Sequence, residues 1–356
     1  MNVLSRKCFL FYKVVWRFFT KFALSLKDSL MKRIIGIGNA LVDALAQVSD
    51  EVLQKELHLP KGGMQLVNTP IRLPDGAGVY KYATGGSACN TILALGHLGA
   101  QPAIIGKVGN DVYGNFFHDN CLTHGIRPFL LRDTSPTGVA STFITPDGQR
   151  TFGTCLGAAA NLQPEDIDPE WLQEYDYLYI EGYLVQNHAL VDRIVQLARE
   201  RSMKVCLDLA SYNIVLEDYD YFAKLLKNVD IVFANELEAR AFAGGKSPRA
   251  AIDELSRYCE TAIVKIGPEG AMAKEGSEFV KVPARPVEKV LDSTGAGDFF
   301  AAGFLYGHSR GDRLSECVRK ASILAAYVIE EIGTALPEPV WESIRREVSP
   351  LRARHS

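Results

Sequence analysis

No two cysteines in this sequence stand at CxxC spacing, and no HExxH motif occurs. The seven cysteines, Cys8, Cys89, Cys121, Cys155, Cys206, Cys259 and Cys317, are scattered and odd in number. That excludes a disulfide framework and a cysteine-based zinc site, and points to reduced thiols in a cytoplasmic compartment. A basic excess is also missing. With 39 Lys and Arg against 42 Asp and Glu, the formal net charge is -3, so no nucleic-acid partner is expected. Nothing repeats internally, no tract is of low complexity, and no flexible linker divides the 356 residues. A membrane-spanning helix needs about 20 mostly apolar residues, and no such run is present.

The N-terminus has a character of its own. "MNVLSRKCFLFYKVVWRFFTKFALSLKDSL" is basic and aromatic, and Arg6, Lys7, Lys13, Arg17, Lys21 and Lys27 interrupt its apolar runs. Three readings stay open for residues 1–30: a targeting signal, an amphipathic surface helix, or an over-extended frame with Met31 as the start. The fold signal begins at Arg33.

From there, short β-rich runs alternate with helical patterns. Strands are expected at 33–38, 102–109, 175–184, 204–210, 230–236 and 262–267. Several are almost continuously apolar, as strands buried on both faces must be. Helices are expected over 87–99, 187–202 and 314–332, where Leu314, Cys317, Val318, Ala321, Ala325, Val328 and Ile329 make one stripe. The alternation predicts a doubly wound, mainly parallel α/β sheet flanked by helices. Two stretches break it, at about 43–82 and 134–157. Both read as small antiparallel pieces, and together they could form one β lid.

Two familiar phosphate motifs fail. "GGKS" at 244–247 would need glycine at 240, which is Arg240; "GIGNAL" at 36–41 has Leu41 in place of its third glycine. "DSTGAGDFF" at 292–300 is different. Asp292 closes a strand-like run "KVLDS", then Gly295, Ala296 and Gly297 open an apolar helix. Bare backbone N–H groups at a helix start make an anion site. Asp298 in that place would repel a resting phosphate. It therefore suits a base that takes a proton from an attacking hydroxyl, or else it only caps the helix.

Four further places carry polar groups at element ends. "GNALVD" puts Asn39 and Asp43 just after the first strand, where open α/β sheets bind ligands. "GGSACNT" sets Gly86 and Ser87 before a helix with Asn90 one turn in, a ligand contact or a plain helix start. "NELEA" places Asn235 and Glu238 three apart, to orient metal-bound water or to cap a helix. "KIGPEG" at 265–270 follows a strand with a glycine turn.

Together these motifs resemble the ribokinase, or PfkB carbohydrate kinase, family over residues 33–340. The resemblance rests on "GGSACNT…LGHLG…GKVGNDVYG" at 85–114, "DSTGAGDFFAAGF" at 292–304, and the NxxE between them. Within the family it is most similar to the adenosine kinases, through "GNALVD", "PTG" at 136–138, "GQRTFGTCLGAAANL" at 148–162 and "GTALP" at 333–337. Ser293 departs from the family's usual Thr or Asn. The resemblance implies a ribokinase-like domain over 31–345 with the lid segments inserted, and a tail at 346–356. It implies a kinase of a primary hydroxyl, most similar to one acting on the 5′-OH of adenosine, using ATP and Mg²⁺, with K⁺ an open requirement. By resemblance, Asp298 is the base and Gly295, Ala296 and Gly297 the anion hole. Asn39, Leu41, Asp43, Gly86, Ser87, Asn90, Arg150, Phe152 and Leu156 would bind the acceptor, with Asp43 on the ribose diol. Lys265, Gly267, Gly270, Asp292, Thr294 and Gly333 would serve ATP, and Asn235 and Glu238 would organise Mg²⁺ through water. A sugar kinase and a non-catalytic nucleoside- or sugar-binding regulator are the rival expectations; the oligomeric state stays open between monomer and homodimer.

Overall fold

The computed structural model describes residues 31–59, 61, 64–71, 79–147 and 150–349. In chain order come β1 (Ile34–Ile37), β2 (Leu41–Gln47), β3 (Met64–Leu66), β4 (Val79–Gly85), α1 (Ser87–His97), β5 (Ala103–Gly109), α2 (Val112–Thr123), β6 (Arg127–Asp133), β7 (Thr137–Ile144) and β8 (Arg150–Gly157). The second half adds β9 (Tyr177–Glu181), α3 (His188–Glu200), β10 (Lys204–Asp208), α4 (Tyr212–Glu217), α5 (Tyr219–Leu225), β11 (Ile231–Asn235), α6 (Glu236–Phe242), α7 (Pro248–Leu255) and β12 (Thr261–Lys265). It closes with β13 (Ala271–Glu275), β14 (Glu278–Val282), α8 (Ala296–His308), α9 (Leu314–Ile329) and α10 (Glu338–Val348).

Nine strands form the main sheet in the order β14-β13-β12-β11-β10-β9-β1-β5-β6. It is parallel from β6 to β12 and antiparallel only at the β13–β14 edge. Alternate side chains feed two cores. Ile35 and Ile37 pack with Leu190 and Ile194 of α3, while Ile34 packs on the other face with Phe299, Phe304 and Val318 of α8 and α9. This double burial is why the strands read as continuous apolar runs.

Five strands form a second sheet, β3-β8-β7-β2-β4. Here the expectation of purely antiparallel pieces is corrected: β2 pairs with β7 in parallel. Both strands leave the same end of the main sheet through short turns, β2 after β1 and β7 after β6, so they set out in one direction. The sheet has a small core of its own in Ala46, Val48, Leu53, Leu59 and Phe143.

Two more expectations change. "KVLDS" is not a strand; residues 283–293 form a loop. Pro283 and Pro286 have no N–H for a ladder, and the amides of Leu291 and Asp292 donate instead to the Ile329 carbonyl, at 2.8 and 3.2 Å. The boundary at 345 falls inside α10, where Trp341, Ile344 and Val348 share one buried face. Among the described residues no helix is long and apolar enough to cross a membrane. Residues 1–30 lie outside the described residues.

Candidate active site

The main sheet reverses direction of growth at β1, which has β5 on one side and β9 on the other. The carboxyl ends of strands at such a point form a crevice. Glu181, the last residue of β9, closes its floor. Its carboxylate accepts from the Asn39 backbone N–H and from the Ala88 N–H, both at 2.9 Å, and from the Asn39 side chain. One acid thus ties together the ends of β1 and β9 and the start of α1. Burial pushes its pKa up. Gly38 makes this possible, since a Cβ there would collide with the Glu181 carboxylate.

Asp298 lies in the first turn of α8. Gly295 caps the helix in the left-handed region, φ 75°, and no side chain caps it. The capping alternative for Asp298 therefore gives way to another arrangement. Ser87 Oγ donates to Asp298 Oδ1 at 2.7 Å, Asn90 Nδ2 donates to Oδ2 at 2.9 Å, and Thr91 Oγ1 donates to its backbone carbonyl at 3.1 Å. Ser87 likewise does not cap α1. Loss of water pushes the Asp298 pKa up to about 7, against the opposing pull of the Ser87 and Asn90 bonds. A carboxylate so poised is suited to accept a proton near neutral pH.

Behind α8 stand the ends of β10, β11 and β12. Lys265 Nζ pairs with Asp208 Oδ2 at 3.0 Å. Asn235 and Glu238 form a full capping box on α6: Glu238 N–H donates to Asn235 Oδ1 at 2.9 Å, and Asn235 N–H donates to Glu238 Oε2 at 2.7 Å. Burial, with Asp208 nearby, pushes Glu238 up to about 7. Among the described residues no group of three or more His, Cys, Asp or Glu is placed to grip a metal directly. The residues fit a metal bound mainly by phosphate and water, with Glu238 and Asp208 as outer acids.

A cavity of about 800 Å³ opens between the two sheets. Asn39, Leu41, Asp43, Gly86, Ser87, Asn90, Phe152, Leu156 and Thr294 all line it. Asp43, on β2, has its pKa pushed up to about 7 by loss of water first and by the charge of Asp292 second. Gly85 is bare where a Cβ would strike the Asp43 carboxylate. Arg150 opens β8, and its side chain lies outside the described residues. Glu181, Tyr183, Asn187 and Asn213 also line the cavity and were missed from sequence. Glu181 and Asp208 share a signal: each is an acid closing an apolar strand at its carboxyl end.

On the far side of Gly295, Asp292 organises two loops. Its Oδ1 accepts from Thr294 N–H at 3.0 Å and its Oδ2 from Gly333 N–H at 2.8 Å. Gly267 and Gly270 bracket the turn after β12. A Cβ on Gly295 would stand 2.5 Å from Thr334 Cγ2. The helix start, the bare turn and the half-buried Lys265 fit a phosphate chain.

The comparisons agree with this geometry. Residues 69–341 match the model of the pfkB family carbohydrate kinases. An uncharacterized sugar kinase of Archaeoglobus fulgidus is 31% identical over 256 residues, 70% of this chain and 100% of that protein. The adenosine kinase of Saccharomyces cerevisiae is 27% identical over 333 residues, 85% of this chain and 96% of its own length. Among solved structures, adenosine kinase from Sinorhizobium meliloti superposes with a TM-score of 0.79 at 32% identity, covering 89% of this chain and 99% of that one. The chain belongs to the pfkB family of carbohydrate kinases. It is a phosphotransferase acting on a hydroxyl group of a sugar or nucleoside, and kinases of this family use ATP and typically Mg²⁺.

Proposed function

We propose that the chain phosphorylates the 5′-OH of adenosine or a closely related nucleoside. The hydroxyl oxygen attacks the γ-phosphorus of ATP, its proton passes to Asp298, and ADP leaves. The amides at Gly295–Asp298 face the charge that spreads over the transferred group. Asn235 and Glu238 would hold Mg²⁺ through water, and the ion would supply neutralisation of phosphate charge. Asp292, Thr294 and Gly333 hold the nucleotide-side loops, and Gly267 and Gly270 border the ATP base. The second sheet acts as a lid that excludes water from the transfer.

One observation carries the choice of acceptor. The Asp43 carboxylate lines the same cavity as the apolar side chains of Leu41, Phe152 and Leu156. A free sugar needs many hydrogen bonds and little apolar wall, whereas a nucleoside needs both a diol acceptor and a flat apolar slot. The relatives with adenosine kinase activity support this reading. An ADP-coupled screen of adenosine, other nucleosides, ribose and fructose, with and without K⁺, tests it. Turnover of a free sugar with adenosine inert would move the chain to the sugar-kinase branch.

A further inference from the structure

Lys265 ends β12 with an ammonium that is largely withdrawn from water, its side chain 16% exposed and that of its partner Asp208 8%. The fold places it with care. Nζ stands 3.2 Å from the point where a Cβ on Gly297 would lie. The cation therefore covers the bare face of the first turn of α8, next in sequence to Asp298. Three carboxylates, Asp208, Glu238 and Asp298, act on it electrostatically.

We propose that Lys265 is a catalytic residue whose ammonium contacts the phosphoryl group as it crosses the Gly295–Gly297 turn, with Asp208 holding the lysine in reach. This rests on the reading of Gly295–Asp298 as the phosphoryl site. A site floored by three acids repels a triphosphate, and the α8 amides alone supply only partial charge. A fixed ammonium at that turn supplies a full one where the equatorial oxygens gain charge. Asp208 takes one of its three protons at 3.0 Å, which leaves donors for phosphate oxygens. The neighbouring acids also keep Lys265 protonated, since they push its pKa up despite burial. The competing role is plain neutralisation of Asp208. Buried pairs kept only for charge balance are replaced by apolar or neutral pairs at little loss, so the two roles separate by experiment.

Lys265→Met, Asp208→Asn and the double variant Asp208→Asn/Lys265→Met should be compared with the wild type on its best acceptor. Turnover comes from ADP formation, MgATP affinity from calorimetry and folding from thermal melts. Removing one preorganised donor to a developing charge costs about 10²–10³-fold in kcat. That loss is expected in Lys265→Met and, undiminished, in the double variant, with MgATP affinity changed only a few-fold. The double variant removes the cation together with its ion-pair partner and leaves the local net charge unchanged, so it tests the role even where Lys265→Met alone unfolds. Wild-type turnover in the double variant would reduce Lys265 to a counter-ion and overturn the proposal. So would a loss that lies wholly in MgATP affinity. A wild type that forms no ADP with any acceptor, yet binds MgATP, would bring down the phosphotransfer reading and this role together.

Discussion

Ser87 and Asp298 lie 211 residues apart and meet in a 2.7 Å hydrogen bond between hydroxyl and carboxylate. The contact joins the start of α1 to the start of α8, the two helices that bound the cavity and the anion turn. Asn90 reaches the second carboxylate oxygen from one turn further along α1. The proposed base, Asp298, is thereby aimed by one helix while it rides on another.

Asp298→Asn should preserve the shape at this junction and remove the proton acceptor. General-base contributions run about 10²–10⁴-fold, and kcat should fall by that range while MgATP affinity, read by calorimetry, survives. Near wild-type turnover would refute the assignment.

The same contact sets a pH dependence. As the proposed base, Asp298 works ionised and its pKa is pushed up to about 7, so kcat/KM should fall as pH drops below that point and level off above it. The Ser87 and Asn90 bonds hold the pKa down. Ser87→Ala should therefore move the acid limb to higher pH. A limb that stays put or moves down would show that Ser87 does not act on the base.

The main sheet was legible in sequence because Ile34–Ile37, Tyr177–Glu181 and Ile231–Asn235 are buried on both faces and are apolar up to the polar residues, Glu181 and Asn235, that close the last two. The glycine turn into α8 was legible because Gly295 needs a left-handed φ and the residues after it are core. What escaped depends on partners distant in the chain. "KVLDS" has strand-like composition, yet its amides find the end of α9 and not a strand. The β2–β7 pairing follows from where two turns leave the main sheet. Glu181 and Asp208 read as ordinary strand ends until Asn39, Ala88 and Lys265 are brought to them.

Glu181 offers a test of the crevice floor. Each orphaned buried donor costs about 1–3 kcal/mol, and Glu181→Ala orphans the Asn39 amide, the Asn39 side chain and the Ala88 amide. Unfolding free energy, measured in urea, should drop by at least about 3 kcal/mol. Glu181→Gln keeps an acceptor oxygen and should lose less. Equal stability of the alanine variant and the wild type would mean that the three donors find water at no cost.

Asp43 should leave a mark on stability. Its pKa rises from 3.8 to about 7 on folding, so between those values the folded chain binds more protons than the unfolded one. Stability contributed by such a group falls as pH rises. Asp43→Asn removes that loss, and its stability relative to wild type should grow from pH about 4 to about 7 and then stay constant. A difference that does not change with pH would place Asp43 in open water.

The same residue should discriminate among nucleosides. The Asp43 carboxylate faces the cavity whose apolar wall includes Leu41, Phe152 and Leu156. One carboxylate accepts from both the 2′- and 3′-hydroxyls of a ribose, and charge-assisted bonds are about twice as strong as neutral ones. An analogue lacking the 2′-hydroxyl leaves a partly buried acceptor short of a donor, and sites built to bond a hydroxyl reject its absence strongly. Adenosine should therefore exceed 2′-deoxyadenosine in kcat/KM by at least about 10²-fold, near the lower end of such penalties. Asp43→Ala should erase most of that ratio by lowering adenosine turnover, with 2′-deoxyadenosine little changed. A ratio that survives in Asp43→Ala would move the diol contact to another residue of the cavity, and equal turnover of both nucleosides by the wild type would remove the diol from recognition altogether.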